Sequence, residues 1–462
     1  MRNTPGVEKC LSELAALLGH AGYRDGEGDL IRHSRDASTA QACLPIAVLR
    51  PKTAEDVSAI MRICRQADLP VVPQGGLTGL SGGAVPVPDS VALSLERMNG
   101  VIEVDTINSS LTAWAGTPLE TIQAAARSAG FDYPVDIGSR GTATIGGTVA
   151  TNAGGIRVIR HGMTRQHLLG MEVVLADGTI ITNLRSMLKD NAGFDLKHLF
   201  VGSEGCLGII TRVVLRLSPM PNDRHTALLA LPDYDAALAC LASARRTFQG
   251  DLTAFEAMWP AYWKLACKMV VTSRPLFSDE HQIYVLLEIT GYERGHFETW
   301  LEDCFATGLV TDGVLAKSGG DAIAMWSIRE AVGDVDREIG AHLNFDIGLA
   351  PSELADFARE CDRELGEFVT QDILHLGHVA DGNLHVIVPV PADDERRKLE
   401  IERRLFDLLA ARGGSVSAEH GVGSLKRPWI GKTRSPEELE LMRLLKRTLD
   451  PTDIFNPGKV IP

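Results

Sequence analysis

The chain has 462 residues and a formal net charge of −14, and 45% of its residues are hydrophobic. This length predicts two or three domains rather than one. The hydrophobic content is that of an ordinary globular protein, and the acidic balance argues against nucleic acid or an anionic membrane as the main partner.

The N-terminal segment, residues 1–22, predicts an amphipathic helix. Its charged residues Glu8, Lys9 and Glu13 interrupt the apolar stretch that a signal peptide needs. No window holds the roughly 18 consecutive apolar residues of a membrane-spanning helix. The eight cysteines are scattered without a Cys-x-x-Cys pair, which is typical of reduced thiols. We therefore expect a cytoplasmic protein without stable membrane insertion.

Two helices in the first half carry recognisable start signals. Thr53 and Asp56 form the pattern of a capping box, which predicts a helix that begins after Thr53. Thr117 is placed to cap a second helix with Pro118 in its first position, and Gly130 is placed to end it. Short strand-like runs such as "IAVLR" and "VALSL" lie between and around these helices.

The rest of the chain alternates strands and helices in two halves. The "ADG" at residues 176–178 predicts a hairpin turn between two strands. Pro219 and Pro221 predict a linker, after which strands and helices alternate up to a long charged helix within residues 392–414. The pattern as a whole predicts an α+β protein that divides near residue 220.

A glycine-rich stretch, "PVVPQGGLTGLSGGAVPV", occupies residues 70–87. It is not a P-loop, because no lysine follows the glycines. Its spacing is not that of a Rossmann fingerprint, and the chain continues into a strand rather than a helix. Two alternatives stay open from this stretch alone: a loop whose consecutive N–H groups bind a pyrophosphate, and a turn that binds nothing.

Two further glycine-rich segments favour the ligand-binding alternative. Residues 136–155 ("DIGSRGTATIGGTVATNAGG") combine glycines with small hydroxyl residues, and residues 202–211 read "GSEGCLGIIT". Three such segments in one half of a chain are difficult to explain as turns. Together they predict one long ligand that lies extended against the backbone.

These segments, with "KDNAGFDLKHLFVGSEGCLGIITRVVLRL", resemble the vanillyl-alcohol-oxidase-type (PCMH-type) flavoproteins. The resemblance runs from about residue 35 to Lys459 and is strongest to the FAD-linked D-2-hydroxyacid dehydrogenases. That branch includes D-2-hydroxyglutarate dehydrogenase, D-lactate dehydrogenase and the glycolate oxidase flavin subunit. The resemblance implies an α+β fold with two domains. A PCMH-type FAD-binding domain would span residues 1–220, completed by 446–462, and a ferredoxin-like α+β substrate and metal domain would span 221–445.

The resemblance implies FAD that is bound without a covalent link. The first two glycine-rich segments contain no histidine or cysteine for attachment, and Cys206 lies at a variable position. Lys459 is expected at the flavin end. The residues that match the flavin contacts of the family are Gly75, Gly76, Leu77, Thr78, Gly79, Leu80, Ser81, Gly138, Ser139, Thr142, Thr144, Gly146, Gly147, Asn152, Glu204, Gly208, Ile210 and Asn456.

A second group of polar residues lies toward the C-terminus. "HVADGNLHV" contains His378 and His385, and "SAEHGVG" contains Glu419 and His420. A lone histidine is more often structural, but two histidines and a carboxylate can bind a divalent metal and leave room for a substrate oxygen. The resemblance implies that His378, His385 and Glu419 bind Zn²⁺ or another divalent metal. It makes His420 the catalytic base and Asn383 a polar group that faces flavin or substrate.

The resemblance also implies a reaction. The metal would lower the pKa of the substrate hydroxyl, His420 would take its proton, and a hydride would pass from the α-carbon to flavin N5. Arg329, which by itself would be taken for a surface arginine, matches a clamp for the substrate carboxylate. Gly333 and Asn344 depart from the D-2-hydroxyglutarate type, which has a substrate-facing threonine and lysine at these positions.

The predicted function is thus the FAD-dependent oxidation of a D-2-hydroxyacid to a 2-oxoacid. D-2-hydroxyglutarate is favoured over D-lactate, D-malate and glycolate. The expected electron acceptor is an electron-transferring flavoprotein or a quinone, and we expect a homodimer. The alternatives are a transferase of the alkyldihydroxyacetone-phosphate-synthase type, a non-catalytic flavin-binding subunit, and a zinc hydrolase, which the lack of an HExxH motif disfavours.

Overall fold

The structure is a computed structural model that describes residues 5–270, 276–277 and 279–462. Residues 1–4 of the predicted N-terminal helix lie outside the described residues. The chain forms two compact units. The first consists of Met1–Gly155, Met163–Met220 and Glu419–Pro462, and the second consists of Ile156–Gly162 and Pro221–Ala418.

Helices occur in both units. Among the described residues they are, in chain order, α1 Pro5–Gly22, α2 Glu27–Arg32, α3 Ala54–Gln66, α4 Leu119–Ser128, α5 Ile145–Thr151, α6 Val158–His161, α7 Lys197–Phe200, α8 Tyr234–Phe248, α9 Pro260–Met269, α10 Arg294–Ala306, α11 Gly319–Arg329, α12 Val332–Ile339, α13 Leu354–Leu365, α14 Glu395–Ala411 and α15 Pro436–Leu449. No helix in the described part of the chain combines the length and apolar character needed to cross a membrane.

The strands of the described residues are short in the first unit and longer in the second. They are β1 Tyr23–Arg24, β2 Val48–Leu49, β3 Val71–Gln74, β4 Val91–Ser94, β5 Val101–Asp105, β6 Ser110–Trp114, β7 Phe131–Asp132, β8 Leu168–Val174, β9 Ile180–Asn183, β10 Ile209–Arg216, β11 Ser218–Pro219, β12 Arg224–Leu231, β13 Leu252–Met258, β14 Ile283–Thr290, β15 Asp312–Leu315, β16 His342–Gly348, β17 Leu374–His378 and β18 Asn383–Pro389.

The predicted helix starts have different outcomes. The capping box is confirmed: the Thr53 hydroxyl accepts a hydrogen bond from the Asp56 N–H (3.1 Å), and the Asp56 carboxylate accepts one from the Thr53 N–H (3.3 Å). The predicted Thr117 cap is wrong, because α4 begins at Leu119 with Pro118 as its N-cap. The Thr117 hydroxyl instead donates to the Trp114 carbonyl oxygen at 2.7 Å. Gly130, with φ +82°, follows the end of α4 as predicted.

Two larger sheets form the first unit. In the four-stranded sheet β1-β2-β4-β3, β4 runs parallel to both β2 and β3, and α3 makes the connection from β2 to β3. The five-stranded sheet β5-β6-β10-β8-β9 is antiparallel. The predicted hairpin turn connects β8 to β9, with Gly178 at φ +82°. Residues of both sheets contribute to one hydrophobic core together with Phe455 from the C-terminal segment.

One seven-stranded antiparallel sheet, β15-β12-β14-β13-β17-β18-β16, runs through the second unit. The order β15-β12-β14-β13 with helices α8 and α10 is the ferredoxin-like βαββαβ arrangement, and α9 is inserted between β13 and β14. Strand β17 pairs with β13 and extends this arrangement to β18 and β16. This pairing places the histidine motif at residues 378–385 in the same sheet as β13.

The compact units differ from the predicted domain boundaries in two segments. Ile156–Gly162 packs with the second unit, where Arg160 forms an ion pair with Asp251 at 2.7 Å. Residues 419–445 were expected in the second domain but pack with the first unit. A physical reason is that the buried Glu204 carboxylate accepts hydrogen bonds from the N–H groups of Val422 and Gly423.

Candidate functional site

The first glycine-rich loop follows β3 and packs directly against the second glycine-rich segment. An ideal Cβ on Gly76 would lie 2.0 Å from the carbonyl oxygen of Thr142, and one on Gly75 would lie 2.4 Å from the Thr144 hydroxyl. Side chains do not fit at such distances, so both positions require glycine. Glycine at these positions therefore allows two backbone segments to approach each other closely.

The same loop fits the pyrophosphate of FAD. Within the part of the chain that the structure describes, the backbone N–H groups from Gly75 to Gly83 donate no hydrogen bond. Leu77 has φ +57°, so the loop turns through a left-handed residue. Consecutive N–H groups in such a turn form an anion-binding nest. The Gln74 amide closes the base of the loop by donating to the Ala84 carbonyl oxygen at 2.8 Å.

The third segment and the C-terminus complete this side of the first unit. The Glu204 N–H donates to the Ala150 carbonyl oxygen at 2.9 Å, which joins the third segment to α5. The Asn456 amide donates to the carbonyl oxygens of Gly83 (2.9 Å) and Glu204 (2.7 Å). The structure thus brings together residues of all three glycine-rich segments and Asn456.

The second segment is held by α5 and by a turn before it. Thr144 caps α5 by accepting a hydrogen bond from the Gly147 N–H. Gly146 packs so closely on Ala115 that a Cβ would lie 2.6 Å from the Ala115 Cβ. Asn152 ends α5 in the left-handed conformation. Before α5, Gly138 and Ser139 lie in a turn that is closed by the Arg140 N–H, which donates to the Ile137 carbonyl oxygen at 3.1 Å.

Several predicted flavin contacts have side chains that are engaged elsewhere. Ile210 lies in the hydrophobic core, and a Cβ on Gly208 would lie 2.6 Å from Val173 Cγ1, so only their backbones could face a ligand. The Glu204 carboxylate is buried and holds the 422–423 segment; burial raises its pKa. Lys459, expected at the flavin end, is buried, and this burial lowers its pKa.

Glu419 and His420 lie in the first unit, beside the glycine-rich loops. The Glu419 carboxylate accepts a hydrogen bond from the Gly155 N–H at 2.9 Å. The Ser81 hydroxyl lies within hydrogen-bond distance of the carbonyl oxygens of His420 (3.1 Å) and Gly421 (2.9 Å). The segment with the predicted base is therefore attached to both the first and the second glycine-rich segments.

His378 and His385 lie in the second unit, where β17 ends and β18 begins. A short 3₁₀ turn, Val379–Asp381, and Gly382 at φ +83° connect the two strands. The two imidazole rings have centroids 5.5 Å apart and are nearly perpendicular. A turn between the histidines was predicted, and it allows both rings to point to the same region. Imidazoles in this arrangement can contribute two ligands to a divalent metal.

A buried carboxylate, Glu256 on β13, joins His378 to Arg329. Its side chain is 1% exposed, and its two oxygens lie 2.8 Å from His378 Nδ1 and 2.7 Å from Arg329 Nε. Burial alone would raise the pKa of Glu256, but its interactions with His378 and Arg329 outweigh this effect and lower it. Arg329, at the end of α11, is therefore a buried residue and not a surface arginine.

Asp346 on β16 is the second buried carboxylate beside the histidine pair. It accepts hydrogen bonds from the Asn383 amide (2.6 Å) and the Ser417 hydroxyl (3.0 Å). It is the cross-strand neighbour of His385, and its carboxylate lies within 4.8 Å of a ring nitrogen of that histidine. Asn383, a predicted polar group of the site, is thus held by a charged hydrogen bond.

Sequence reasoning did not identify Glu256 and Asp346. The available signal was one acidic residue within an apolar strand, in "LTAFEAM" and in "HLNFDIG". Acidic side chains are almost never buried without a partner, so such residues point to a polar site. The structure also locates the two residues that depart from the family pattern: Gly333 lies in α12, and Asn344 is exposed on β16.

Comparison with protein families defines the class of protein to which the chain belongs. Residues 45–183 match the family described as "FAD binding domain", and residues 220–460 match "FAD linked oxidases, C-terminal domain". The first glycine-rich loop lies in the first matched region and the histidine pair in the second. The protein is therefore a two-domain FAD-linked oxidoreductase.

Similarity to individual relatives defines the family more narrowly. The chain is 39% identical over 457 residues to "Probable D-2-hydroxyglutarate dehydrogenase, mitochondrial" from Oryza sativa subsp. indica. This alignment covers 98% of the chain and 81% of the relative. The chain is also 39% identical over 419 residues to "D-2-hydroxyglutarate dehydrogenase, mitochondrial" from Bos taurus, and that alignment covers 90% of the chain and 76% of the relative. The chain belongs to the FAD-linked D-2-hydroxyacid dehydrogenase family, whose reaction is the FAD-dependent oxidation of a D-2-hydroxyacid.

A solved structure supports the fold. p-Cresol methylhydroxylase with substrate bound aligns with a TM-score of 0.81 at 18% identity, over 99% of this chain and 97% of that one. This likeness confirms the predicted PCMH-type two-domain fold. The predicted cytoplasmic location, by contrast, is wrong. The finding that contradicts it is that the rice and bovine relatives are both named as mitochondrial.

Proposed function

We propose that this enzyme oxidises D-2-hydroxyglutarate to 2-oxoglutarate with the help of a divalent metal. The observation that carries the proposal is the His378–His385 pair, with ring centroids 5.5 Å apart. It is supported by the first glycine-rich loop of the other unit, whose backbone N–H groups donate no hydrogen bond within the described residues. The substrate follows from the names of the rice and bovine relatives. FAD, when bound, supplies the acceptor for the two electrons of the oxidation.

His378, His385 and Glu419 are the proposed metal ligands, as their sequence motifs indicate. Two imidazoles and one carboxylate are a donor set suited to Zn²⁺, with a further position for substrate oxygen. The metal would act as a Lewis acid that lowers the pKa of the substrate hydroxyl. His420 is the proposed base for the hydroxyl proton, since an imidazole accepts a proton near neutral pH.

Arg329 is the proposed binding group for the substrate carboxylate. Its Nε–H donates to Glu256, which fixes the plane of the guanidinium. The substrate carboxylate is proposed to bind the Nη groups of the same planar donor. Asn383, held by Asp346, is the proposed second polar contact. FAD is proposed to bind without a covalent link, because burial raises the pKa of the Cys206 thiol to about 12 and makes it a poor nucleophile.

D-Lactate, D-malate and glycolate are the second candidates for the substrate. A specific observation favours the two monocarboxylates, D-lactate and glycolate: Gly333 and Asn344 provide neither the hydroxyl nor the cation that the D-2-hydroxyglutarate type directs at the substrate. We further propose an electron-transferring flavoprotein or a quinone as the electron acceptor, and a homodimer as the assembly.

The test of the substrate is a comparison of kcat/KM. D-2-hydroxyglutarate, D-malate, D-lactate and glycolate are compared with an artificial dye as acceptor, and L-2-hydroxyglutarate is the control. The proposal predicts the highest kcat/KM for D-2-hydroxyglutarate and none for the L-enantiomer. A higher value for D-lactate, D-malate or glycolate would replace D-2-hydroxyglutarate with that acid. Repeating the best reaction with an electron-transferring flavoprotein and with a soluble quinone then identifies the acceptor.

A further inference from the structure

We propose that Glu256 is a positioning residue that fixes both His378 and Arg329 for the reaction. It lies on β13 directly opposite His378 on β17, as a cross-strand neighbour. One carboxylate oxygen is 2.8 Å from His378 Nδ1, and the other is 2.7 Å from Arg329 Nε. One buried anion therefore contacts two groups with different proposed roles.

The first consequence is the tautomer of His378. An ionised carboxylate only accepts hydrogen bonds, so His378 Nδ1 carries the hydrogen that faces Glu256. The lone pair of the neutral ring is then on Nε2, on the side away from Glu256. Metal-binding histidines commonly have this arrangement, in which a carboxylate holds one ring nitrogen and the other binds the ion. This part of the inference rests on the proposed function, which makes His378 a metal ligand.

The second consequence concerns charge. Arg329 Nη2 lies 3.4 Å from His378 Nε2, so a guanidinium cation sits beside the proposed metal-binding nitrogen. Glu256 is paired with that cation in a region where both side chains are at most 7% exposed. Without the carboxylate, the uncompensated cation would repel a metal ion at Nε2, because charges interact strongly when they are buried.

The test uses Glu256→Gln and a matched control on the neighbouring strand. Glutamine has the same size but loses the charge, and it offers only one accepting oxygen for two donors. Glu288 on β14 is the control. It is also buried, at 2% exposure, and its carboxylate is paired with Thr253 and with the guanidinium groups of Arg157 and Arg224. Both variants are prepared as full-length holoenzyme, with FAD content measured by visible absorbance.

The main readout is the affinity for Zn²⁺, measured by competition with a chelator. The proposal predicts that Glu256→Gln weakens Zn²⁺ binding by about 10–100-fold at wild-type FAD content, as is typical when an outer carboxylate is lost. Glu288→Gln should retain wild-type affinity. Equal Zn²⁺ affinity of Glu256→Gln and wild type would overturn the proposal. An equal loss of Zn²⁺ affinity in Glu288→Gln would also overturn it, because that result would indicate a general effect of removing a buried charge.

A second readout does not depend on metal or activity. In chelator-treated protein labelled with ¹⁵N-histidine, His378 should be protonated at Nδ1 in the wild type, with its signals assigned by their loss in His378→Gln. Protonation at Nε2 in the wild type would overturn the role of Glu256, even if the glutamine variant failed to fold. Wild-type protein that binds no Zn²⁺ but shows the Nδ1 tautomer would instead refute the metal in the proposed function and leave the positioning role of Glu256 intact.

Discussion

Replacing Gly76 with alanine should weaken FAD binding and destabilise the first unit. The added Cβ would lie 2.0 Å from the Thr142 carbonyl oxygen, 2.7 Å from its carbon and 3.0 Å from Ala143 Cα. All three neighbours are backbone atoms, so the clash cannot be relieved by a side-chain rotation. The two segments must separate by about 1 Å or more, and overpacking of this kind destabilises proteins by about 1–3 kcal/mol.

The assay compares Gly76→Ala with Gly138→Ala, a glycine in the second segment with open space around its Cβ position. Urea unfolding of FAD-free protein gives the stability, and the ratio of visible flavin absorbance to protein absorbance gives the FAD content. Gly138→Ala should unfold within about 0.5 kcal/mol of the wild type. Gly76→Ala with wild-type stability and full FAD content would refute the idea that close backbone packing shapes the pyrophosphate loop.

Three further substitutions test other parts of the structure. Glu172→Gln should lower the free energy of unfolding at pH 7 by about 2 kcal/mol, since Arg212 loses its carboxylate partner. Burial would raise the pKa of Glu172, but hydrogen bonds from Arg212 and its neighbours outweigh this and lower it, so the deficit should shrink as the pH falls below about 4. Urea unfolding at several pH values checks this; a deficit independent of pH would contradict it. Asp346→Asn should reduce kcat/KM about tenfold at unchanged FAD content, because Asn383 loses a charged acceptor; steady-state kinetics with unchanged kcat/KM would contradict it. Asn344→Lys should raise kcat/KM for D-2-hydroxyglutarate about tenfold relative to D-lactate, because the proposed substrate site would gain a cation for the distal carboxylate. An equal change for both acids in steady-state kinetics would contradict the idea that residue 344 faces the substrate.

The parts of the fold that local chemistry determines were predictable from the sequence. The Thr53–Asp56 capping box and the hairpin turn at Gly178 depend on residues adjacent in the chain, and both are confirmed. The Thr117 cap was wrong because its hydroxyl bonds to neighbouring carbonyl oxygens, including that of Gly100. Such competition depends on how the chain folds back and does not appear in a local pattern.

The site was predictable to the extent that its residues belong to motifs. His378 and His385 lie on either side of one turn, so their proximity follows from the sequence between them. Glu256 is 122 positions from His378, and only the pairing of β13 with β17 brings them into contact. Arg329 likewise contacts Glu256 across 73 positions of the chain, so its burial and its ion pair are not indicated by its own helical sequence.

The measurement that tests the central claim most directly is an anaerobic titration of the holoenzyme with D-2-hydroxyglutarate, followed by visible absorbance. A metal-assisted dehydrogenase should lose the absorbance of oxidised flavin with this acid. It should retain that absorbance with the L-enantiomer and after removal of the metal by a chelator. Flavin that stays oxidised with D-2-hydroxyglutarate, D-malate, D-lactate and glycolate would contradict the account and favour a transferase that uses FAD without net oxidation.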